Sequence, residues 1–253
     1  MKVLNFDELM IGEGRPKICV PIVAKNIEEA NAQASEIANM PADLIEIRGD
    51  FFEQYSDRQY VINLIHEVKV ITNRPVIYTF RTGREGGEIQ IQKEEYVSLL
   101  KDLIASKEPV LIDVELFTGE KEVKDLIGFA HDHGVKVVLS NHDFDKTPEK
   151  EEIYARLKSM EEMGADIAKI AVMPKEQYDV NILLDATTMA YLEMDIPIVT
   201  MSMGKMGAIS RISGEVFGSS ITFGTVGKAS APGQINVDDL SHMLEIIHRQ
   251  CVK

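Results

Sequence analysis

Short runs of apolar and β-branched residues recur about every 25 to 35 residues along the chain, with amphipathic stretches of helical period between them. Runs this short suit buried strands, and their spacing suits successive strand and helix units. Eight stand out, at 17–22, 44–48, 76–81, 110–115, 135–142, 166–172, 197–203 and 219–224. Helix boundaries are written between them. Asn26 is a cap residue with Glu29 three positions on, Thr147 precedes Pro148 and Glu149 as a cap before a first-turn proline, and Gly134 and Gly164 close the helices before the fifth and sixth runs. Eight such units predict an α/β fold of the (β/α)₈ TIM-barrel type. No Pro/Gly/Ser-rich linker divides the chain, so residues 1–253 read as a single domain. Residues 1–16, with Gly12-Glu13-Gly14 as the turn, read as a hairpin covering the barrel's N-terminal mouth. The main architectural rival is a doubly wound open sheet, but its G-x-G-x-x-G fingerprint does not follow the first strand.

Composition narrows the partners. The 253 residues are 45% hydrophobic and carry a formal net charge of -14, which argues against nucleic acid and leaves any anionic substrate to local cations. Only Cys19 and Cys251 occur, so a reducing compartment is expected rather than a disulfide framework. The first residues show no signal-peptide pattern, and no apolar run approaches the ~20 residues that cross a bilayer, so a cytoplasmic protein without a membrane partner is expected.

In a barrel, alternate strand residues point inward, and catalytic groups come from the C-terminal strand ends and the loops beyond them. At such places stand Glu46 and Arg48, Arg81, Asp113 and Glu115, His142 and Lys169. Lys169 lies within the apolar run 166–172, where desolvation disfavours the ammonium form and a neutral amine can condense with a carbonyl. Its other reading is a strand-end lysine that snorkels to water or pairs with a carboxylate. Glu46 and Arg48 read equally as a structural ion pair or as ligand contacts. Asp113 and Glu115 read as loop anchors without an assigned role. A lone histidine such as His142 is usually a hydrogen-bonded structural residue, and His66, His131, His133, His242 and His248 fall in helical patterns at the surface. Together, however, so many ionisable groups at one barrel end are costly without mutual pairing or a ligand, which is how an active site looks.

Glycine-bearing loops follow the last two strands, at 203–211 and 224–234. Many barrels bind phosphate there, although Arg211, Ser230 and Gln234 offer a fork and neutral donors that suit a carboxylate. No H-E-x-x-H helix or cysteine cluster points to a metal.

The ordered set Glu46-Ile47-Arg48, Thr79-Phe80-Arg81-Thr82-Gly83-Arg84-Glu85-Gly86-Gly87, Ser140-Asn141-His142-Asp143-Phe144, Ala168-Lys169, Met201-Ser202-Met203-Gly204 and Ser230-Ala231-Pro232-Gly233-Gln234 resembles the type I 3-dehydroquinate dehydratases over nearly the whole chain. The resemblance implies a (β/α)₈ barrel, usually a homodimer, acting in the shikimate pathway without metal or cofactor. It implies conversion of 3-dehydroquinate to 3-dehydroshikimate by syn loss of water through an imine. Lys169 would then be the Schiff-base lysine, His142 the general acid and base, and Glu85 the carboxylate that orients the histidine. Arg211, with Ser230 and Gln234, would hold the substrate carboxylate. Glu46, Arg48 and Arg81 would contact ring hydroxyls, while Phe144, Met203 and Phe223 would form the apolar wall. Two rivals remain: a Schiff-base aldolase on the same barrel, and a non-catalytic barrel that binds a small hydroxy acid.

Overall fold

The computed structural model describes residues 3–6, 9–227 and 231–252. Two short antiparallel strands, β1 (Leu4–Phe6) and β2 (Leu9–Ile11), open the chain. Eight parallel strands follow: β3 (Lys17–Ile22), β4 (Leu44–Arg48), β5 (Val76–Thr79), β6 (Leu111–Glu115), β7 (Lys136–Asp143), β8 (Ile167–Val172), β9 (Ile198–Ser202) and β10 (Ile221–Thr225). Helices α1 (Ile27–Ile37), α2 (Arg58–Thr72), α3 (Lys93–Ser106), α4 (Glu120–Asp132), α5 (Lys150–Glu162) and α6 (Gln177–Glu193) alternate with β3 to β9. The short α7 (Ala208–Ile212) and α8 (Gly214–Phe217) fill the next interval, and α9 (Val237–Cys251) ends the chain. Each of β3 to β8 hydrogen-bonds to its successor, and β10 returns to pair with β3. The seam between β9 and β10 is thinner, closed by the bridge of Ile198 to Ser219 and the 2.8 Å bond from Ser220 N to Ile198 O. A two-residue β11 (Ile235–Asn236), not expected from the sequence, pairs in parallel beside the end of β10.

Boundary differences have local causes. The third run was expected to reach Arg81, but β5 stops at Thr79 because the Arg81 amide donates to the Asp50 carboxylate (3.3 Å) instead of to a neighbouring strand. Helix α5 begins at Lys150 with Glu149 as cap, not at Pro148, since Thr147 Oγ1 donates to Met173 O (3.2 Å) and serves the barrel edge. The hairpin is present, but its strands pair Leu4, Asn5 and Phe6 with Ile11, Met10 and Leu9, so Gly12-Glu13-Gly14 is not its turn. Gly12 (φ +101°) and Gly14 (φ +68°) instead follow β2, in the connection to β3. Asn26 caps α1 as expected, accepting from Glu29 N at 2.9 Å.

Two apolar clusters separate the layers. The larger lies between sheet and helices, joining outward strand residues such as Val20, Ile45, Ile112 and Val137 to helix faces such as Leu64, Leu99 and Leu126. The smaller fills the lower lumen with Cys19, Leu44, Ile77, Leu111, Val138, Ile167, Val199 and Ile221. Leu4, Phe6, Leu9 and Ile11 of the hairpin pack against it, so the N-terminal end is plugged and the cavity can open only at the other end.

Candidate active site

The side-chain period of two carries each strand from this apolar floor into the site. Two residues above Leu44, Leu111, Val138 and Ile167 stand Glu46, Asp113, Ser140 and Lys169, and two further on stand Arg48, Glu115, His142 and Ala171. On the opposite side the inward residues stay apolar, with Met201 and Met203 from the end of β9 and Phe223 from β10. One cavity of about 540 Å³ therefore has a charged arc facing an apolar wall.

Lys169 is 5% exposed. Its Nζ lies 3.3 Å from Asp113 Oδ2 and 3.5 Å from Glu46 Oε1, and it sits 4.7 Å from the centroid of the Phe223 ring. The buried amine is thus paired, as the plainer of its two readings had it, while still lining the cavity. Asp113 also accepts from Arg81 Nη2 (2.9 Å) and Ser140 Oγ (2.7 Å). Burial alone would raise its carboxyl, but Arg81 and Lys169 hold it below the ordinary aspartate range.

Glu85 occupies a tight turn, Gly83–Glu85, closed by Gly86 at φ +84°. A Cβ at Gly86 would come within 2.4 Å of the Phe144 ring, so glycine serves both the turn and the close approach of that ring to the cavity. The turn delivers Glu85 to His142. Glu85 Oε2 accepts from the His142 backbone amide and lies 2.9 Å from its Nδ1, while Oε1 accepts from Asn141 Nδ2 at 3.2 Å. Burial pushes the Glu85 carboxyl up to about 7, against the pull of Arg81. Burial also lowers His142 well below its usual value, helped by the cations Arg81, Lys169 and Arg48. The imidazole is consequently held neutral, with one nitrogen fixed by Glu85.

Arg211 comes from α7 after β9 and is 2% exposed. Its Nη2 donates to Pro232 O (3.0 Å), but Nε and Nη1 are buried and have no partner among the described residues. Burial lowers this guanidinium to about 10. The loop that supplies Pro232 packs tightly on the one after β9: Gly204 N donates to Pro232 O (3.1 Å), and a Cβ at Gly233 would stand 2.2 Å from Gly204 O. Ala231 and Gln234 of this loop line the cavity, whereas Ser230 and Lys228 lie outside the described residues.

Of the residues singled out in the sequence, Lys169, His142, Glu85, Glu46, Arg48, Arg81, Arg211, Gln234, Phe144, Met203 and Phe223 all line this one cavity. The ion pair read between Glu46 and Arg48 does not form. Arg48 makes a two-point contact with Asp50 (2.9 and 2.8 Å), and Glu46 accepts from Thr79 Oγ1 (2.9 Å). Sequence reasoning left Asp113 without a role, although its shared parity with Glu115 on β6 already placed both in the lumen. For Glu115 the loop-anchor reading holds, since it accepts from Thr82 N (2.9 Å) and Thr82 Oγ1 (2.7 Å) and also pairs with Arg81 (3.0 Å). That arginine is so enclosed by Asp113, Glu115 and Glu85 that, despite its burial, it is held well above its ordinary value.

A family model described as Type I 3-dehydroquinase matches residues 18–251. The chain belongs to the type I 3-dehydroquinase family. Its activity is accordingly that of a 3-dehydroquinate dehydratase, a lyase of the shikimate pathway. It is 50% identical over 251 residues to a 3-dehydroquinate dehydratase of Listeria welshimeri, covering 99% of this chain and 100% of that one. A relative from Clostridium novyi is 46% identical over 250 residues, covering 98% and 99%. Among solved structures, the type I 3-dehydroquinate dehydratase of Clostridium difficile, described with covalently modified comenic acid, superposes with a TM-score of 0.95 at 45% identity, covering 98% of this chain and 99% of that one. The Geobacillus kaustophilus 3-dehydroquinate dehydratase gives 0.95 at 37% identity, covering 100% and 98%. These type I enzymes are (β/α)₈ barrels, the architecture described above.

Proposed function

We propose that Lys169 is the amine that condenses with the ketone of 3-dehydroquinate, that His142 moves the protons, and that Glu85 orients His142. Nitrogen adds to the carbonyl carbon, and the carbinolamine loses water to give a protonated imine. The imine draws electrons from the neighbouring carbon and makes its proton removable. His142 takes that proton and returns it to the departing hydroxyl, and hydrolysis of the imine then frees 3-dehydroshikimate with net loss of one water. The Ser140 to Lys169 register of β7 and β8 sets His142 one inward step above the amine, which supports its serving both transfers. This route needs neither metal nor cofactor.

The observation that carries the reading is Arg211, a buried guanidinium lining the same cavity as Lys169, with two nitrogens that have no partner among the described residues. Such a group lacks a carboxylate, and the substrate has one. Gln234 and Ser230 would complete that clamp, Glu46, Arg48 and Arg81 would meet ring hydroxyls, and Phe144, Met203 and Phe223 would cover the ring's apolar face. The modified comenic acid of the Clostridium difficile relative supports a covalent step in such a barrel. A homodimer of single-domain barrels in the cytoplasm belongs to the same reading. It is supported by the resemblance, by free Cys19 and Cys251, and by apolar Ile209, Val216 and Ile246 exposed on α7, α8 and α9.

Borohydride reduction with 3-dehydroquinate present, followed by peptide mapping, tests the assignment. Ligand mass on Lys169 is expected. Label on Lys205 or Lys228 with Lys169 unmodified would overturn it, and absorbance of the conjugated enone product reports turnover in the same sample.

A further inference from the structure

The hydrogen-bond chain at His142 does not end at Glu85. Asn141, one residue before His142 on β7, has the opposite parity and is 3% exposed. Its Nδ2 donates to Glu85 Oε1 (3.2 Å), and its Oδ1 accepts from Nη1 of Arg156 at 2.8 Å. Arg156 lies in the middle of α5, outside the barrel wall, with its side chain 17% exposed. Three further contacts fix it: Nη2 donates to Glu152 Oε1 one turn earlier, Nη1 lies 3.6 Å from Asp143 Oδ2, and the guanidinium stands 5.7 Å from the centroid of Phe117.

Donor and acceptor chemistry makes this chain directional. A guanidinium only donates, so the Asn141 atom that meets it must be the amide oxygen. The amide NH₂ is then turned toward Glu85, and since NH₂ also only donates, Glu85 Oε1 must accept. Oε1 is thereby tied to the Asn141 amide, and Oε2, which accepts from the His142 backbone amide, is the oxygen 2.9 Å from His142 Nδ1.

We propose that Arg156 and Asn141 are positioning residues for the pair of Glu85 and His142. The guanidinium sets the orientation of the Asn141 amide, and the amide, by holding Oε1, keeps the Glu85 carboxylate turned with Oε2 against the imidazole. The proposal rests on the reading of Glu85 and His142 given above. Other groups facing Glu85 are Arg81 beyond β5 and Asp113 and Glu115 on β6, while Arg48, Arg81 and Lys169 face the imidazole.

The pH profile of kcat/KM tests it. The bond from Asn141 favours ionised Glu85, so cutting the chain makes the pair hold its proton to higher pH. Asn141→Ala and Arg156→Met are each expected to move the acidic limb to higher pH and to lower kcat about 3- to 10-fold, the worth of a hydrogen bond, with little change in KM. Arg156→Lys keeps a donor for the amide oxygen and should restore most of both. Glu85→Gln should move the limb the other way, because it removes the charge altogether. If Glu85→Gln shifts the limb down while both chain-cutting variants leave it in place, the positioning role is wrong and the reading of the pair survives. If Glu85→Gln leaves it in place too, both fail. Should Arg156→Met not fold, Asn141→Ala cuts the same chain one link nearer the carboxylate and decides alone.

Discussion

Asp113 Oδ2 lies 3.3 Å from Lys169 Nζ while Oδ1 accepts from Arg81 Nη2 at 2.9 Å, so one fully buried carboxylate joins the proposed nucleophile to a buried arginine that also faces Glu85 and Glu115. Charges this deep are tolerated only in company, and removing one member leaves the others uncompensated. Asp113→Asn should therefore cost on the order of 3 kcal/mol, read as a lower urea midpoint at unchanged slope. Because Asp113 titrates below its ordinary range, the stability it contributes is present above that range and lost as pH falls through it. The loss in the variant should accordingly be full at pH 7 and shrink in acid. A midpoint equal to wild type at pH 7 would show that Glu46 and Glu115 suffice for both cations.

His142→Ala removes the proposed proton carrier and leaves the amine. Turnover should fall by ~10² to 10⁴ or more, the range that general acid and base catalysis supplies. Imine trapping at Lys169 should persist, though more slowly, since loss of water from the carbinolamine also needs a proton. Near wild-type kcat would reduce His142 to a structural residue.

Glu85→Gln keeps size and hydrogen bonding but loses charge. In the wild type the acidic limb is expected to reflect Glu85 and His142 jointly, because burial pushes Glu85 up to about 7 and its Oε2 lies 2.9 Å from His142 Nδ1. Without the carboxylate, burial and the neighbouring cations hold His142 unprotonated to lower pH. The limb of kcat/KM, followed from roughly pH 5 to 9, should then move down, with a smaller loss of activity than in His142→Ala. An unchanged limb would mean that the imidazole has another partner.

The barrel was legible because period and spacing are local properties, and all eight runs became strands within about two residues of their expected ends. The misplaced boundaries are those decided by distant groups: Asp50 reaching the Arg81 amide, Met173 taking the Thr147 hydroxyl. The site divides the same way. Inward parity identified Glu46, Arg48, His142 and Lys169 from the sequence, and the resemblance added Glu85, which lies on a loop where no periodicity exists. Partner choice was not legible. That Arg48 takes Asp50 rather than Glu46 depends on side-chain direction at the end of one strand, and that Arg156 on an outer helix reaches Asn141 depends on how that helix packs on the sheet, neither of which a periodic pattern encodes.

Arg211 gives the sharpest separation between binding and folding. A buried cation with two nitrogens unpartnered among the described residues is a cost in the free protein that a bound carboxylate would remove. Arg211→Met should thus leave the fold as stable as wild type or more so, while kcat/KM falls by on the order of 2 to 5 kcal/mol if the substrate carboxylate is largely desolvated. Arg211→Lys keeps the charge but loses the planar two-point contact, so KM should rise, and kcat should fall with it if the ring tilts away from His142. Thermal melts with and without 3-dehydroquinate, alongside steady-state kinetics of both variants, read the two effects independently. If Arg211→Met retains kcat/KM within a few-fold of wild type, the substrate anion is held elsewhere, with Lys205 or Lys228 next in line, and the two open nitrogens serve no part of the reaction.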